Sequence, residues 1–323
     1  MRSKLKIIAL GAAACTLTSL AWGQVYPSKP LKMILPFPAG GPTDIVARAM
    51  GQALGEAFGH NVVIDNRPGG GGMIGATMAA RSPADGYTLL LGGITTFGVA
   101  PSVHKNPPYD SVKDFQPVTL ATRQPIMLMT HPSLPAKTVK EFVALAKARP
   151  GEINYASSGP GGSGHMAGEL FKLITGVNLV HIPYKGAPPA LNDLIAGQVQ
   201  VLFGTILASA PHVRSGRVRA VAITGPQRSA ALPEVMTFAE AGLPTYDASS
   251  WNGILVPIGT PRAIVDRLNT ELVRILKNSQ VQERFAQNGA LPAPTTPEEF
   301  AAFIKSEIAK WAKVVQAANI RID

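Results

Sequence analysis

The sequence predicts an α/β fold built as two lobes, each a doubly wound sheet flanked by helices. Short apolar strands and amphipathic helices alternate along the chain with loops of few residues between them, which is typical of parallel sheets covered by helices. One such series is complete by about Leu120, and a second then begins. With 323 residues, 46% of them hydrophobic, the chain is long enough for two cores. We therefore expect a cleft between two lobes.

The first 23 residues have the pattern of an export signal. Three cations within the first six residues precede an apolar segment that ends near Leu20, and Ala21-Trp22-Gly23 fits the small-x-small pattern of a cleavage site. We expect cleavage after Gly23 and an exported protein, because no later stretch reaches the roughly 18 apolar residues that a membrane span needs. Cys15, the single cysteine, lies in this segment. It is expected to leave with the signal, and lipid attachment at Cys15 is the alternative.

The charge balance favours small anions as partners. Loss of the three leader cations lowers the formal net charge from +10 to +7, and a basic exported protein can meet nucleic acid, a membrane surface or small anions. Lysines and arginines are scattered singly, with no basic run and no interleaved aromatic residues, which argues against a nucleic-acid groove. Without a cysteine, the mature chain has neither disulfides nor thiolate metal sites.

The first series of elements predicts where a ligand would bind. Its elements, in order, are a strand at 32–35, a helix at 43–58, a strand at 62–65, a helix at 74–81 and a strand at 88–91. Thr43 and Asp44 provide an N-cap and a first-turn acid for the first helix. Ligands of doubly wound sheets bind at the carboxyl ends of the strands. The loops at 37–42, 66–72 and 92–96 are therefore expected to converge on one crevice.

The second series follows a long predicted strand at 116–130. Its elements are a helix at 138–148, a strand at 153–156, a helix at 163–175, a strand at 178–183, a helix at 187–196, a strand at 199–203, a helix at 208–215 and a strand at 219–224. Thr138 and Glu141 fit a capping box. The tail adds a strand at 253–256 and helices that begin near Pro261, Gln280 and Pro297. Placed back on the first lobe, this tail predicts one lobe of residues 24–122 plus 250–323 and another of 123–249, joined by crossings near Thr122 and Ser250.

A glycine-rich loop precedes a helix in each lobe: loop 1 (37–41) and loop 2 (157–163). Glycine lets the backbone approach a ligand closely, and a helix N-terminus presents unpaired N–H groups and the positive end of its dipole. The hydroxyls of Ser157, Ser158 and Ser163 and the side chain of His165 add possible donors. Two facing anion sites are expected. Such turns also occur without a ligand, and Ser163 also fits a helix cap and His165 a surface histidine.

Other classes of site fit less well. Gly159, Gly161 and Gly164 match G-x-G-x-x-G, but the following strand ends without the acid that grips a dinucleotide ribose. There is no phosphate-binding loop of the G-x-x-x-x-G-K-[ST] type, no metalloprotease histidine pair and no calcium loop. We expect no cofactor, no metal and no catalytic residues. An exported hydrolase that uses Ser163 and His165 is the alternative from another class, although a nucleophile elbow needs glycine where His165 stands and no third orienting acid is evident.

Several short motifs follow one another along the mature chain. They are Pro36-Phe37-Pro38-Ala39-Gly40-Gly41 with Asp44, Asn66-Arg67-Pro68-Gly69 with Gly72 and Gly75, Asp85-Gly86-Tyr87-Thr88-Leu89, Tyr109-Asp110 with Asp114-Phe115, Ser157 to His165, Pro183-Tyr184-Lys185-Gly186, Trp251 and Gly259-Thr260-Pro261. Together they resemble the tripartite tricarboxylate transporter substrate-binding family, also called Bordetella uptake gene (Bug) receptors. The resemblance extends over essentially the whole mature chain.

The resemblance implies a periplasmic, two-lobed Venus-flytrap protein of the type II periplasmic-binding-protein fold. Such a receptor binds a small carboxylate, gripped by loops 1 and 2 partly through ordered waters, and delivers it to membrane permease subunits. We expect a monomer, and we expect four further residues to shape the variable end of the pocket. The candidate ligand-binding residues are Phe37, Pro38, Ala39, Gly40, Gly41, Thr95, Ser157, Ser158, Gly159, Ser163, His165, Tyr184, Gly204 and Thr205.

One departure from the family pattern concerns the ligand. Members selective for amino acids often have an aspartate after the Val-x-x-x-Phe strand, where this chain has Gly204 and then Thr205. The acid that would pair with a ligand ammonium is therefore missing, and a dicarboxylate or an aromatic acid is expected instead of an amino acid. The same receptor could dock on a signalling protein instead of a transporter, an alternative that the sequence leaves open.

Overall fold

The computed structural model describes residues 26–287 and 289–322. The expected export signal, its cleavage after Gly23 and Cys15 lie outside the described residues. Within those ranges, no helix combines the length and the apolar composition needed to cross a bilayer.

The strands form two sheets. In chain order they are β1 (Leu31–Leu35), β2 (Val62–Asn66), β3 (Thr88–Gly93), β4 (Phe115–Gln124), β5 (Ile126–Thr130), β6 (Asn154–Ser157), β7 (Val180–Pro183), β8 (Val201–Thr205), β9 (Arg219–Ile223), β10 (Ser250–Pro257) and β11 (Leu291–Pro292). The first sheet has the order β11-β4-β10-β3-β1-β2, and the second has the order β7-β6-β8-β5-β9.

Helices connect the strands and flank both sheets. They are α1 (Pro42–Phe58), α2 (Met73–Ala80), α3 (Ala100–Val103), α4 (Val139–Ala148), α5 (Ser163–Thr175), α6 (Ala187–Ile195), α7 (Ile206–Arg214), α8 (Arg262–Leu276), α9 (Ser279–Gln287) and α10 (Pro297–Ala317). A 3₁₀ turn (Gly70–Gly72) precedes α2, and a π-helix (Ile94–Val99) precedes α3. The predicted capping box of Thr138 and Glu141 begins α4, and Thr296 and Glu299 form a second one at α10.

Each sheet has three parallel strands to which antiparallel strands are added. β1 pairs in parallel with β2 and β3, and β6 pairs in parallel with β7 and β8. β10 is antiparallel to β3 and β4, while β5 is antiparallel to β8 and β9. The βαβ connections place the loops that follow β1, β2 and β3 at one edge of the first sheet, and those that follow β6, β7 and β8 at one edge of the second.

The predicted single strand at 116–130 is wrong, because the chain changes sheet at Pro125. β4 ends at Gln124 and pairs with β10, whereas β5 begins at Ile126 and pairs with β8 and β9. Proline has no N–H for a strand ladder, which favours a break at this position. The chain returns to the first sheet between Ile223 and Ser250, where β10 takes its place between β3 and β4.

A buried carboxylate fixes α10 to the first sheet. Glu307 is 5% exposed, and its Oε2 accepts hydrogen bonds from the indole N–H groups of Trp251 at 2.8 Å and Trp311 at 2.9 Å. Its Oε1 lies 2.5 Å from Lys310 Nζ. Burial of a carboxylate is costly unless donors surround it, and here three donors do. Glu307 therefore joins β10, which carries Trp251, to α10, which carries the other two donors.

Replacement of Glu307 by leucine should lower the free energy of unfolding by about 2 kcal/mol or more, because two buried indole N–H groups lose their acceptor. Glu307→Gln is the matched control, since its amide oxygen can still accept from both indoles and only the ion pair with Lys310 is lost. Urea unfolding followed by tryptophan fluorescence measures both variants. An equal loss of stability in the two would show that the charge of Glu307, and not its acceptor oxygen, holds this contact.

Candidate functional site

The loops that follow β1, β2 and β3 meet at one edge of the first sheet, as predicted. A Cβ added to Gly72 would lie 2.6 Å from Thr96 Cγ2 and 3.3 Å from Pro36 Cβ. A Cβ added to Gly75 would lie 2.9 Å from Pro36 Cα. Only glycine permits these approaches, and Gly72 also has a φ of +94°, which side chains rarely adopt. The glycines after β2 thus allow three loops to pack together.

Loop 1 leads into α1 through two glycines of different conformation. Gly40 has a φ of +81°, and Gly41 is the extended N-cap of α1, with φ −79° and ψ 170°. The predicted N-cap at Thr43 is wrong: the helix begins earlier, because proline is well suited to its first position, which Pro42 occupies. Phe37 and Gly41 are half-buried, whereas residues 38–40 are exposed.

Asp44, in the first turn of α1, anchors loop 1 by hydrogen bonds. Its Oδ2 accepts the N–H of Gly40 at 3.0 Å and Arg48 Nε at 2.8 Å, and its Oδ1 accepts Asn66 Nδ2 at 3.0 Å. Asn66 Nδ2 also donates to the carbonyl of Phe37 at 3.1 Å. Burial by itself raises the pKa of Asp44, but the donors Arg48, Gly40 and Asn66 outweigh it, so the pKa lies below its ordinary value. Asp44 is therefore an ionised anchor of the loop.

Loop 2 has the same form in the second lobe. Gly161 has a φ of +69°, and Gly162 is the extended N-cap of α5, with φ −70° and ψ 162°. Ser163 is therefore the first residue of the helix and not its cap. Ser157 is fully buried, and its Oγ lies 2.7 Å from His181 Nε2 and 3.2 Å from both N and O of Gly159. The Ser157 hydroxyl thus has protein partners, while Ser158 is exposed.

His165 lies beneath loop 2 and is not a surface residue. It is 6% exposed, and its Nδ1 accepts the N–H of Gly161 at 3.0 Å. Its ring stacks on that of His181, with centroids 4.0 Å apart, and His181 stacks on Tyr155 at 4.9 Å. Burial lowers the pKa of each histidine to about 4, with a contribution from Lys172 for His165 and from the neighbouring His165 for His181. Both rings are therefore neutral at neutral pH.

Loop 2 also contacts the first lobe. A Cβ added to Gly161 would lie 2.8 Å from Ile322 Cδ1 and 3.9 Å from Val99 Cγ1. Val99 ends the π-helix that follows β3, and the N–H of Ile322 donates to the carbonyl of Val103 at 3.2 Å. These contacts place loop 2 beside the segment that follows the carboxyl end of β3.

The four residues expected at the variable end lie at or just after the ends of three different strands. Thr95 is half-buried in the first turn of the π-helix. Tyr184 follows β7, and its hydroxyl donates to Asp193 Oδ2 at 2.6 Å. Burial, together with Asp193, raises the pKa of Tyr184 to about 12. Gly204 and Thr205 end β8, and both are half-buried.

Sequence reasoning missed His181 and the role of Asn66 as a bridge within loop 1. The register of β6 and β7 sets His181 opposite Tyr155, and that pairing has no local signal. Asn66 belongs to the family motif Asn66-Arg67-Pro68-Gly69. The motif marked Asn66 as a residue of interest but did not indicate that its side chain supports loop 1. The serine hydrolase alternative would need His165 to accept the hydroxyl proton of Ser163, but His165 Nδ1 already accepts the N–H of Gly161.

Comparison with known proteins identifies the family. A model described as the tripartite tricarboxylate transporter family receptor matches residues 46–320. The chain belongs to this family of receptors. It is 38% identical to protein BugT of Bordetella pertussis over 323 residues, which covers 100% of this chain and 99% of that protein.

Solved structures of similar proteins share this fold. An R. palustris protein with adipate is 37% identical, with a TM-score of 0.83 over 92% of this chain and 99% of the other. The periplasmic binding protein BugD is 36% identical, with a TM-score of 0.79 over 92% and 99%. MatC from Rhodopseudomonas palustris, with bound malate, is 33% identical, with a TM-score of 0.79 over 90% and 100%. The chain is thus a two-lobed solute receptor and not an enzyme, which sets the hydrolase alternative aside.

Because the pKa values of His165 and His181 are lowered, we expect the protein to lose stability in mild acid. Their pKa values are about 4 in the folded protein and 6.5 for an ordinary histidine, so the unfolded chain binds more protons between these limits. The stability they contribute is complete above pH 6.5 and falls towards pH 4, by up to about 1.4 kcal/mol per pH unit for His165. Denaturation of the ligand-free protein at pH 7, 6 and 5 measures this slope. A His165→Asn variant should show a smaller slope, and an unchanged one would exclude this histidine as the cause.

Proposed function

We propose that this receptor is periplasmic, binds a small dicarboxylate or aromatic acid in the cleft between its lobes and delivers it to a permease of the tripartite tricarboxylate type. The observation that carries the proposal is the matched pair of loops 1 and 2, each with a glycine N-cap at the start of a long helix. Backbone N–H groups at such helix starts bind carboxylates well. The family and the adipate and malate in two neighbours support the ligand class.

The N–H groups proposed to meet the ligand are those that have no protein acceptor. In loop 1 and the start of α1, the N–H groups of Phe37, Ala39, Gly41 and Thr43 have no acceptor among the described residues. In loop 2 and the start of α5, the same holds for Ser158, Ser163, Gly164 and His165. Unpaired backbone N–H groups require a partner, and a carboxylate, directly or through water, supplies acceptor oxygens. One carboxylate of the ligand is proposed to accept hydrogen bonds from these N–H groups.

The other end of the ligand is proposed to lie against Thr95, Tyr184, Gly204 and Thr205. Thr95 and Thr205 offer hydroxyl groups, Gly204 adds no side chain, and the hydroxyl of Tyr184 already donates to Asp193. None of the four is itself a carboxylate, so a second carboxylate or a neutral ring meets no charge repulsion from them, and none of them is a counter-ion for the ammonium of an amino acid. The basic net charge of the mature chain also favours an anionic ligand.

The lobes are proposed to close on the ligand by a hinge at the two places where the chain changes sheet, Pro125 and the segment between Ile223 and Ser250. The proposed lobes are thus close to the expected division, with the first crossing moved from Thr122 to Pro125. Hinge closure around a ligand is a common motion of two-lobed receptors.

The purified mature protein should bind at least one of adipate, malate or benzoate with a dissociation constant near micromolar, worth roughly 8 kcal/mol. Such binding raises the melting temperature by mass action, so a thermal-shift screen followed by calorimetry measures it. Matched amines and neutral sugars are the controls. A ligand-dependent decrease in the radius of gyration checks closure. Stabilisation by amines or sugars alone would contradict the proposed function.

Gly41→Ala should weaken carboxylate binding by roughly tenfold or more without unfolding loop 1. The φ of Gly41 suits any residue, and the added methyl group would have only Pro38 O within 4 Å, at 3.6 Å. The methyl group would therefore occupy the space beside the free N–H groups. Calorimetry measures the affinity, and the melting temperature of the ligand-free variant is the control. Unchanged affinity would remove loop 1 from the site.

Gly204→Asp should weaken dicarboxylate binding by charge repulsion, whereas the matched control Gly204→Asn should weaken it much less. The new Cβ would lie 3.0 Å from the flexible end of Met129, so both variants make the same steric demand and differ only in charge. The aspartate variant should also gain affinity for an amino acid such as aspartate, because its carboxylate can pair with the ammonium. Calorimetry with malate and aspartate decides. Equal affinities in both variants would place Gly204 outside the pocket.

A further inference from the structure

Beneath loop 2 lies a buried polar cluster, here called the histidine cluster, formed by Ser157, His165 and His181 with Tyr155 and Glu169. Tyr155 and Ser157 lie on β6, His165 and Glu169 on α5, and His181 on β7. Two members of the cluster bind the backbone of loop 2: Ser157 binds Gly159, and His165 binds Gly161. We therefore infer that the histidine cluster determines the conformation of loop 2.

The cluster occupies the inner N–H groups of loop 2. Ser157 Oγ accepts from the N–H of Gly159 at 3.2 Å, and His165 Nδ1 accepts from the N–H of Gly161 at 3.0 Å. The N–H of Gly162 donates to the carbonyl of Gly159 at 3.2 Å within the loop itself. The unpaired N–H groups of this loop, those of Ser158 and Ser163, are thus the ones that remain for a ligand.

The imidazole ring of His181 is stacked on both of its faces. His181 lies between Tyr155 and His165, and its Nε2 is 2.7 Å from Ser157 Oγ. The hydroxyl of Tyr155 donates to Glu169 Oε1 at 2.6 Å, and Lys172 Nζ lies 2.9 Å from the same atom. The charged groups near the two histidines, Glu169 and Lys172, therefore form a single ion pair on α5. Because Nδ1 of His165 accepts a hydrogen bond, its proton is on Nε2.

The equivalent position in the first lobe shows what this arrangement does. Gly40 and Gly161 both have positive φ, both precede an extended glycine N-cap, and each donates its N–H to the side chain four residues later. That side chain is Asp44 in loop 1 and His165 in loop 2. Both are acceptors at the third position of a helix, but Asp44 is charged and paired with Arg48, whereas His165 is neutral.

We propose that His165, supported by the stacked His181, is a positioning residue that shapes loop 2 for an anion without placing a negative charge beside it. It acts through the N–H of Gly161 and need not touch the ligand. The inference rests on the proposed carboxylate site and names the residue that determines its preference for anions at α5. Protonation of Nδ1 would set a donor against the N–H of Gly161 and would release the loop.

Three substitutions of His165 separate its acceptor atom from its charge. His165→Leu removes the acceptor, His165→Asn keeps a neutral acceptor, and His165→Asp keeps an acceptor but adds the charge found at Asp44. Phe142→Leu, in the fully buried core of the same lobe, is the control for a general loss of stability. Amide exchange of Gly161 in the ligand-free protein, measured by NMR, reports the loop, and calorimetry with adipate and malate reports binding.

His165→Leu should accelerate the exchange of the Gly161 amide and weaken binding, each by about tenfold or more. His165→Asn should restore both to within about threefold. His165→Asp should restore the slow exchange but bind adipate and malate at least about tenfold more weakly, because a charge now lies beneath the anion. Phe142→Leu should lower the melting temperature and change neither readout.

Equal exchange of the Gly161 amide in wild type and His165→Leu would overturn the positioning role, whatever the ligand. Equal affinity of the Asn and Asp variants would overturn the requirement for a neutral acceptor. If the wild type binds no carboxylate while the exchange results hold, the proposed function fails and the role of His165 in holding the loop stands. The two failures are therefore distinguishable.

Discussion

The proposed site depends on one interaction in each glycine-rich loop: a side chain of the following helix accepts a hydrogen bond from an inner N–H group of the loop. In both lobes a glycine with positive φ, Gly40 or Gly161, turns the chain so that its N–H points back to the helix. The next glycine then starts the helix in an extended conformation. This bond leaves the neighbouring N–H groups without protein partners, and an anion can then satisfy them.

The close packing of the loops makes this geometry possible. Glycine at 72 and 75 lets the segments that follow β1, β2 and β3 touch, and at Gly164 a Cβ would collide with the carbonyl of Phe203. Side chains at these positions would push the loops apart. The contact of Glu307 with Trp251 holds α10 on the first sheet, and loop 2 lies against the segment after β3. Loop 2 therefore lies next to Val99 and Ile322.

Loops 1 and 2 have similar backbone conformations, but the side chains that anchor them differ in charge. Loop 1 is anchored by an ionised carboxylate that Arg48 balances, and loop 2 by a neutral imidazole. The positive end of the α1 dipole is thus partly offset by Asp44, while that of α5 is not. Under the proposed function, the charge difference would make loop 2 the more favourable position for a carboxylate, and loop 1 would contribute mainly hydrogen-bond donors.

The sequence by itself determined the fold class, the order of the strands and helices and the two glycine-rich loops, because hydrophobic period, glycine, proline and capping residues act over a few neighbouring positions. It failed locally where proline decided the outcome: Pro42 moved the start of α1 away from Thr43, and Pro125 divided the predicted long strand. Only the tertiary structure decided that His165 is buried and that His181 and Asn66 support the loops. Those contacts depend on strand register and join residues 24 and 29 positions apart, from Ser157 to His181 and from Phe37 to Asn66, and no local pattern encodes such a pairing.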